Sequence, residues 1–253
     1  MITIEPAELG VKEGEAILDA GCGEGRHSWE LAKGENWVFA LDIDYDSVYK
    51  SYHALKYLEY EGHTRGSYCA VAGHVEALPF HDESFDHVLC SEVLEHVDDV
   101  FEATAELVRV LKPGGTIGVS VPTWITEVFY WRLDKNYSHP GGHIRIFKAR
   151  EIRDILESFN LKVYGRDRRH SLHSPYWFLL CLFGLHNENA LLPSTYHRFL
   201  TWVESKPRPF FKAVERALDP LMAKSQVFYA RKENAGAVAV ADARARSRYP
   251  HKE

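Results

Sequence analysis

From residue 16 onward, short apolar runs alternate with amphipathic stretches. "AILD" (Ala16–Asp19) is a brief apolar run that stops at glycines, which predicts a buried strand entering a tight turn. A helix is expected next over Arg26–Lys33, with Trp29, Leu31 and Ala32 supplying its apolar side. "WVFALDID" (Trp37–Asp44) reads as a second buried strand ending in acids. "DSVYKSYHALKYLEYEG" fits a helix with Val48, Tyr52, Leu55 and Leu58 on one face and Gly62 as its stop. "YCAVAG" and "SFDHVLCSE" (Ser84–Glu92) give strands three and four. "DVFEATAELVRVLKPGG" is amphipathic, with Phe101, Ala105, Val108 and Leu111 at three- and four-residue spacing and Pro113-Gly114-Gly115 ending the helix. "TIGVSVP" is a fifth strand. Strands separated by helices of this length imply a parallel sheet covered on both faces, and right-handed crossovers favour a doubly wound order.

The second half reads differently. "KAREIRDILESF" is an amphipathic helix with Ile152, Ile155, Leu156 and Phe159 inward, and "LKVYGRDRR" is a sixth strand. Ser171 to Lys224 is aromatic and apolar, in three blocks: "SPYWFLLCLFGLH", "LLPSTYHRFLTWVE" and "RPFFKAVERALDPLM". These predict two or three helices separated by prolines. The tail "ENAGAVAVADARARSRYPHKE" carries small and charged residues without large apolars, the composition of a disordered end over 233–253.

Composition narrows the picture. A chain of 253 residues with 45% hydrophobic content suits one large domain or a domain with a sub-domain. A net charge of −6 supplies no global basic field for nucleic acid. Cys22, Cys69, Cys90 and Cys181 form no C-x-x-C pair and no metal-ligand spacing, which suits a reducing compartment. The start lacks a basic-then-apolar leader. The longest apolar stretch, Tyr176–Leu185, is shorter than the ~20 residues that span a bilayer. The expectation is a soluble, cytoplasmic protein.

In a doubly wound sheet, ligands sit outside the carboxyl ends of the strands. The first such end is "ILDAGCGEGRH" (Ile17–His27). A dinucleotide wants G-x-G-x-x-G with a pyrophosphate on a helix N-terminus. Here Arg26 stands where the third glycine belongs, and Asp19 and Glu24 carry carboxylates into the turn. Each carboxylate–phosphate pair costs about 1 kcal/mol in water and more when partly buried. The same acids suit a ligand that is cationic at this end, such as S-adenosylmethionine, with its α-ammonium and sulfonium. Asp42, at the end of the second strand and 23 positions after Asp19, has close to the ~20-residue spacing of a ribose-binding acid.

Together, "ILDAGCGEGRH", "ALDID", "ALPFHDESFDHVLCSEVLEHVDD" and "LKPGGTIGVSVP" resemble the class I S-adenosylmethionine-dependent methyltransferases, in the branch of small-molecule and quinone methyltransferases. The resemblance covers Glu13 to Phe159. It implies a Rossmann-like, doubly wound, seven-stranded, mostly parallel sheet closed by an antiparallel seventh strand. "SQVFYARK" (Ser225–Lys232) is the candidate, which makes residues 171–224 a helical insertion between strands six and seven and assigns 1–170 and 225–232 to the cofactor-binding domain. It further implies that Gly21 and Gly23, with Cys22 between them, let backbone approach the methionine part, and that Asp19 holds the ammonium directly or through water. Asp42 would take the ribose hydroxyls and Ile43 would pack on the adenine. His74 stands where the family has an adenine-binding aspartate, and a neutral imidazole can still accept a hydrogen bond there. Val75 would offer its N–H to the adenine with Glu76 alongside. Ser91 and Glu92 would line the sulfonium end, with Val93 near the adenosine.

Methyl transfer needs alignment, exclusion of water and, for an alcohol or phenol, removal of a proton. Among 14 histidines, His96 in "EVLEHVDD" and His139 and His143 in "NYSHPGGHIRIF" are the candidate bases, with Tyr137 beside them. His96 reads equally as a residue ordering a helix start, and the 136–147 segment equally as a turn. Arg145, Trp124, Tyr176 and Trp177 are candidate substrate contacts. No metal is expected: Pro140-Gly141-Gly142 breaks the helix that a His139–His143 pair needs, and no cysteine pair completes a site there or at His170 and His173. The insertion is either a helical cap with its own core or a lid whose Tyr176, Trp177, Phe178 and Phe183 cover an apolar substrate or touch a membrane surface. Lys206, Arg208, Lys212 and Arg216 would then face anionic headgroups. The functional expectation is methyl transfer from S-adenosyl-L-methionine to a small apolar, lipid- or isoprenoid-like acceptor through oxygen or carbon, with S-adenosylhomocysteine released. The alternatives are a cofactor-binding regulatory module without activity, or a protein methyltransferase.

Overall fold

The computed structural model describes residues 2–133, 143–184, 190–206 and 208–234. A short helix α1 (Pro6–Leu9) precedes strand β1 (Ala16–Ala20). There follow α2 (Arg26–Leu31), β2 (Trp37–Asp42), α3 (Tyr45–Tyr60), β3 (Ser67–Ala72), β4 (Phe85–Ser91), α4 (Val100–Val110) and β5 (Leu111–Pro122). After β5 come α5 (Trp124–Leu133), α6 (Ala149–Ser158) and β6 (Leu161–Arg169). A single 3₁₀ turn (Ser171–His173), α7 (Ser174–Phe183), α8 (Leu191–Glu204) and α9 (Pro209–Met222) separate β6 from β7 (Ser225–Lys232).

The strands form one seven-stranded sheet in the order β3-β2-β1-β4-β5-β7-β6. β1 to β5 pair in parallel, and β7 runs antiparallel to both β5 and β6. The expected fold class, seventh strand and position of the insertion are all present. Neighbouring side chains on a strand point to opposite faces, so Ile17 and Leu18 serve different cores. Leu18 joins Val88, Leu107, Ile152 and Phe228 on one side of the sheet. Ile17 joins Ile4, Leu9, Val38, Leu55 and Val227 on the other.

Several local readings are corrected. α3 buries Val48, Ser51 and Leu55, while Tyr52 is exposed. The small Ser51 lets the helix approach the glycine turn, so the apolar stripe is narrower than its pattern. α4 buries Val100, Ala103, Thr104, Leu107 and Val110; Phe101 and Val108 are only partly buried against the same core. Small residues face the sheet because it is close, and the bulkier ones flank it. Pro113-Gly114-Gly115 lies inside β5, beside a register shift between Phe85 and His87, rather than at the helix end. β2 stops at Asp42, and Asp44 instead caps α3 by accepting from the Ser47 N–H at 3.0 Å. Helices α1 and α5 were not anticipated. α5 is apolar on nearly all sides and shows no amphipathic period, because it packs α7 through Tyr130, Cys181, Trp177 and Phe178. Among the described residues, no helix is long and apolar enough to cross a membrane. Most of the 233–253 tail lies outside the described residues.

Candidate functional site

A cavity of about 840 Å³ opens at the carboxyl ends of β1, β2, β3 and β4, within the roughly 300–1,000 Å³ range of small-molecule sites. Its walls come from the β1–α2 turn, Asp42 and Ile43, Gly73 to Val75, and Ser91 to Val93 with His96. Of the residues expected to hold a cofactor, Gly21, Cys22, Gly23, Asp42, Ile43, His74, Val75, Ser91, Glu92 and Val93 all line it.

The turn is built for backbone approach. Gly21 has φ +75, and a Cβ there would sit 2.2 Å from Val93 Cγ2, so only glycine passes. Gly23 has φ +52 with no atom within 4 Å of where its Cβ would be, which leaves open space for a ligand. Asp42 fastens the turn: Oδ2 accepts from the Gly23 N–H at 2.8 Å and Oδ1 from the Asp44 N–H at 2.9 Å. Cys22 donates to the Gly23 carbonyl, and burial pushes its thiol up, so it stays protonated.

Asp19 lies behind the wall, fully buried. Its Oδ2 accepts from the Ser28 N–H at 3.0 Å and the Ser28 hydroxyl at 2.6 Å, while Oδ1 has no partner. Burial raises its carboxyl to about 6, with the Ser28 bonds opposing. A buried carboxylate with an idle oxygen fits a cationic ligand group. Glu24 does not share this role: it lines the mouth, but its carboxylate is exposed and paired with Lys50 at 2.8 Å. Of the two carboxylates in the turn, Asp19 alone keeps a buried, unpartnered oxygen. Glu76 also turns away from the cavity, accepting from the Asp99 N–H at 2.6 Å and lying 3.1 Å from His74 Nδ1.

Beyond Glu92 the wall becomes ionic. Glu92 has φ +57 and accepts from the Ser120 hydroxyl at 3.1 Å. Its other oxygen lies 3.4 Å from Lys224 Nζ, which also sits 5.3 Å over the Trp177 ring. Glu95 is fully buried with neither carboxylate oxygen partnered, and burial, then Glu92, holds its carboxyl well above the usual range. His143 Nδ1 lies 2.7 Å from Oε2 of the buried Glu127, and the His143 and His96 rings meet edge to face at 4.9 Å. The Ile144 N–H donates to the Glu95 carbonyl and Arg145 to the Asp98 carbonyl, so 143–145 runs along the loop that lines the cavity. Tyr137 and His139 lie outside the described residues.

The remaining expected contacts are elsewhere. Trp124 borders a separate apolar hollow of about 530 Å³ between α5, α7 and α9, with Phe129, Phe178 and Leu221. Tyr176 packs on Trp177 and His197, and neither Tyr176 nor Trp177 lines the cofactor cavity. Lys206, Arg208, Lys212 and Arg216 border a groove they share with Glu204, Glu215 and Asp219, so they form no separate basic face.

Glu127, Glu95, Lys224, His27 and Trp29 were missed as site residues. "SEVLEH" carries Glu95 three positions after Glu92, and His27 and Trp29 directly follow the glycine turn; Glu127 and Lys224 are brought in by tertiary packing. Two sets among the described residues place three donor atoms within 4.8 Å of one another: Glu95, His96 and His143, and His170, His173 and Glu215. Each set joins residues distant in sequence, which no local ligand spacing reveals.

Residues 18–119 match the methyltransferase-domain family. Over 154 residues the chain is 36% identical to a sterol 24-C-methyltransferase of Aspergillus fumigatus, covering 60% of this chain and 37% of that protein. Over 144 residues it is 31% identical to a ubiquinone biosynthesis O-methyltransferase of Hydrogenovibrio crunogenus, covering 57% and 52%. The chain thus spans about half or less of the length of these relatives. The structure of an S-adenosylmethionine-dependent methyltransferase from Aquifex aeolicus superposes with a TM-score of 0.55 at 15% identity, over 89% of this chain and 86% of that one, a likeness of fold. The glycine turn, the acid at the end of β2 and the strand order lie in or beside the segment that matches the methyltransferase domain, and in sequence and fold the chain is similar to S-adenosylmethionine-dependent methyltransferases.

Proposed function

We propose that this chain transfers the methyl group of S-adenosyl-L-methionine to a small apolar, lipid- or isoprenoid-like acceptor through oxygen or carbon, releasing S-adenosylhomocysteine. The cofactor supplies a methyl group already activated on a sulfonium. Gly21 and Gly23 admit its amino-acid end, Asp19 offers the idle Oδ1 to the ammonium, and Asp42 offers its remaining lone pairs to the ribose. Ile43 and Val75 flank the adenine, with His74 as acceptor, while Ser91, Glu92 and Val93 border the reacting end.

The observation that carries a catalytic role is the buried Glu127–His143 pair, met edge to face by His96, which lines the cavity. Glu127 accepts the Nδ1 proton, which makes the other ring nitrogen the proton acceptor. His143 is thereby set to take the proton of an acceptor hydroxyl or acidic C–H as the methyl arrives. Apolar acceptors are supported by the hollow that begins at Trp124, directly after β5. The relatives named above are a sterol C-methyltransferase and a ubiquinone-pathway O-methyltransferase, which favours the same acceptor class. Exposed Leu191, Phe210 and Leu221 on α8 and α9 support contact with the membrane surface where such an acceptor would reside.

The test is transfer from a methyl-labelled cofactor into fractionated metabolites. Label confined to polar acceptors would remove the apolar reading, and cofactor binding without any transfer would leave a regulatory module. Calorimetric titration of Asp42→Ala should show lost cofactor binding; retained affinity would overturn the assigned site. Sedimentation with anionic vesicles tests the surface contact, which is excluded if the chain stays in the supernatant.

A further inference from the structure

We propose that His170, His173 and Glu215 form a divalent transition-metal site that fastens the helical insertion to the end of the sheet, away from the cofactor cavity. The three residues come from β6's end, the 3₁₀ turn and α9, and their donor atoms lie within 4.8 Å of one another. None of them lines the cofactor cavity.

The surroundings prepare both imidazoles for ligation. His173 Nε2 lies 3.0 Å from the Glu204 carboxylate on α8, and its Nδ1 is buried with no hydrogen-bond partner. A carboxylate on one ring nitrogen with the other left idle is how metal-bound histidines are oriented. The His170 ring is oriented by the Thr3 hydroxyl, 3.1 Å from its Nε2.

The turn is also held in place. His170 adopts φ +70, a backbone state that a non-glycine residue adopts at a cost. The Ser171 N–H donates to Asp219 at 3.0 Å and the Ser171 hydroxyl to the Glu215 carbonyl at 2.9 Å, clamping the turn to α9. Tetrahedral ligands at the usual Zn–N and Zn–O lengths stand about 3.4 Å apart, so closure needs about an ångström of side-chain movement. Two imidazoles and one carboxylate favour a borderline ion such as Zn²⁺ over Mg²⁺ or Ca²⁺, which prefer all-oxygen shells.

The experiment is Co²⁺ titration of the chelator-stripped full-length chain, followed by visible absorption, with Zn²⁺ as competitor. The expected result is one equivalent of tetrahedral Co²⁺, displaced by Zn²⁺. His173→Ala and Glu215→Gln should each abolish the bands, and Glu204→Gln should weaken binding about 10- to 100-fold. Glu215→Gln is isosteric, so it decides the matter if His173→Ala fails to fold. His143→Ala should leave the bands unchanged. The proposal is overturned if the wild type shows no tetrahedral bands, if they persist unaltered in Glu215→Gln, or if they disappear in His143→Ala alone.

Discussion

The carboxylate of Glu127, on α5, lies 2.7 Å from Nδ1 of His143, on the segment leading to α6, and both side chains are largely buried. Two stretches after β5 thus converge on one carboxylate–imidazole pair beside His96, which lines the main cavity. Removing the base should lower turnover about 10²- to 10⁴-fold while leaving cofactor affinity in place. His143→Ala that keeps full turnover would dismiss it. Glu127→Gln should share the loss, because an amide can present the wrong partner to Nδ1. Single-turnover transfer separates this from a binding defect.

Gly21 and Gly23 should fail in different ways. Gly21→Ala forces a methyl into Val93 at a positive φ, and about 2–4 kcal/mol of stability should be lost. Gly23→Ala meets no protein atom and should cost only about 1–2 kcal/mol, from its left-handed backbone. Its methyl occupies the ligand's approach, so cofactor affinity should drop far more than melting temperature. Equal losses in both variants, read by calorimetry and thermal unfolding, would contradict this division.

His27 sets an acid limit. Burial, with Arg26 beside it, lowers its imidazole to about 3, and Nε2 accepts from the Thr3 and Ile4 N–H groups at 3.1 and 3.2 Å. The folded chain keeps this histidine neutral while the unfolded chain protonates it near 6.5. Its contribution is therefore complete above that pH and is lost as pH falls from 6.5 toward 3, at the limit by about 5 kcal/mol. Urea unfolding across this window should show the decline. His27→Gln keeps an acceptor without a titrating group and should flatten it.

Asp19 behaves oppositely. Its folded carboxyl titrates at about 6 instead of 3.8, so stability falls as pH rises through that window. An ammonium brought to Oδ1 favours the charged form. Cofactor binding just below pH 6 should therefore release a proton, and binding well above it should not. Calorimetry in buffers of differing ionisation enthalpy reads this directly, and equal proton release in Asp19→Asn would assign it elsewhere.

The parts of the fold that announce themselves are those with a strong local cause. β1 is a buried run ended by glycines, and β7 is recognisable even after a long insertion because Val227, Phe228 and Tyr229 alternate between two cores. Helix faces were less legible: the choice of Ala103 over Ala105 depends on how close α4 approaches the sheet, which periodicity does not encode. α5 stayed hidden because its apolar residues surround the helix without an amphipathic period, and only part of them pack on α7. At the site, the residues lining the cavity at the ends of β1 to β4 fall in four short motifs, so their clustering follows from the strand order. Glu127 and Lys224 reach it from 35 and 132 positions beyond Glu92, and only folding brings them there.

β6 and β7 are hydrogen-bonded neighbours, and the register ends with Arg169 opposite Ser225. Everything between them therefore hangs from a single hairpin mouth. Entropy of closure grows only logarithmically with loop length, so the sheet is nearly indifferent to how much chain the hairpin carries. The cofactor half can stay constant while the insertion is lengthened, shortened or replaced. Exchanging 170–224 for a tight turn should therefore leave the seven-stranded sheet folded, which circular dichroism and thermal unfolding would show.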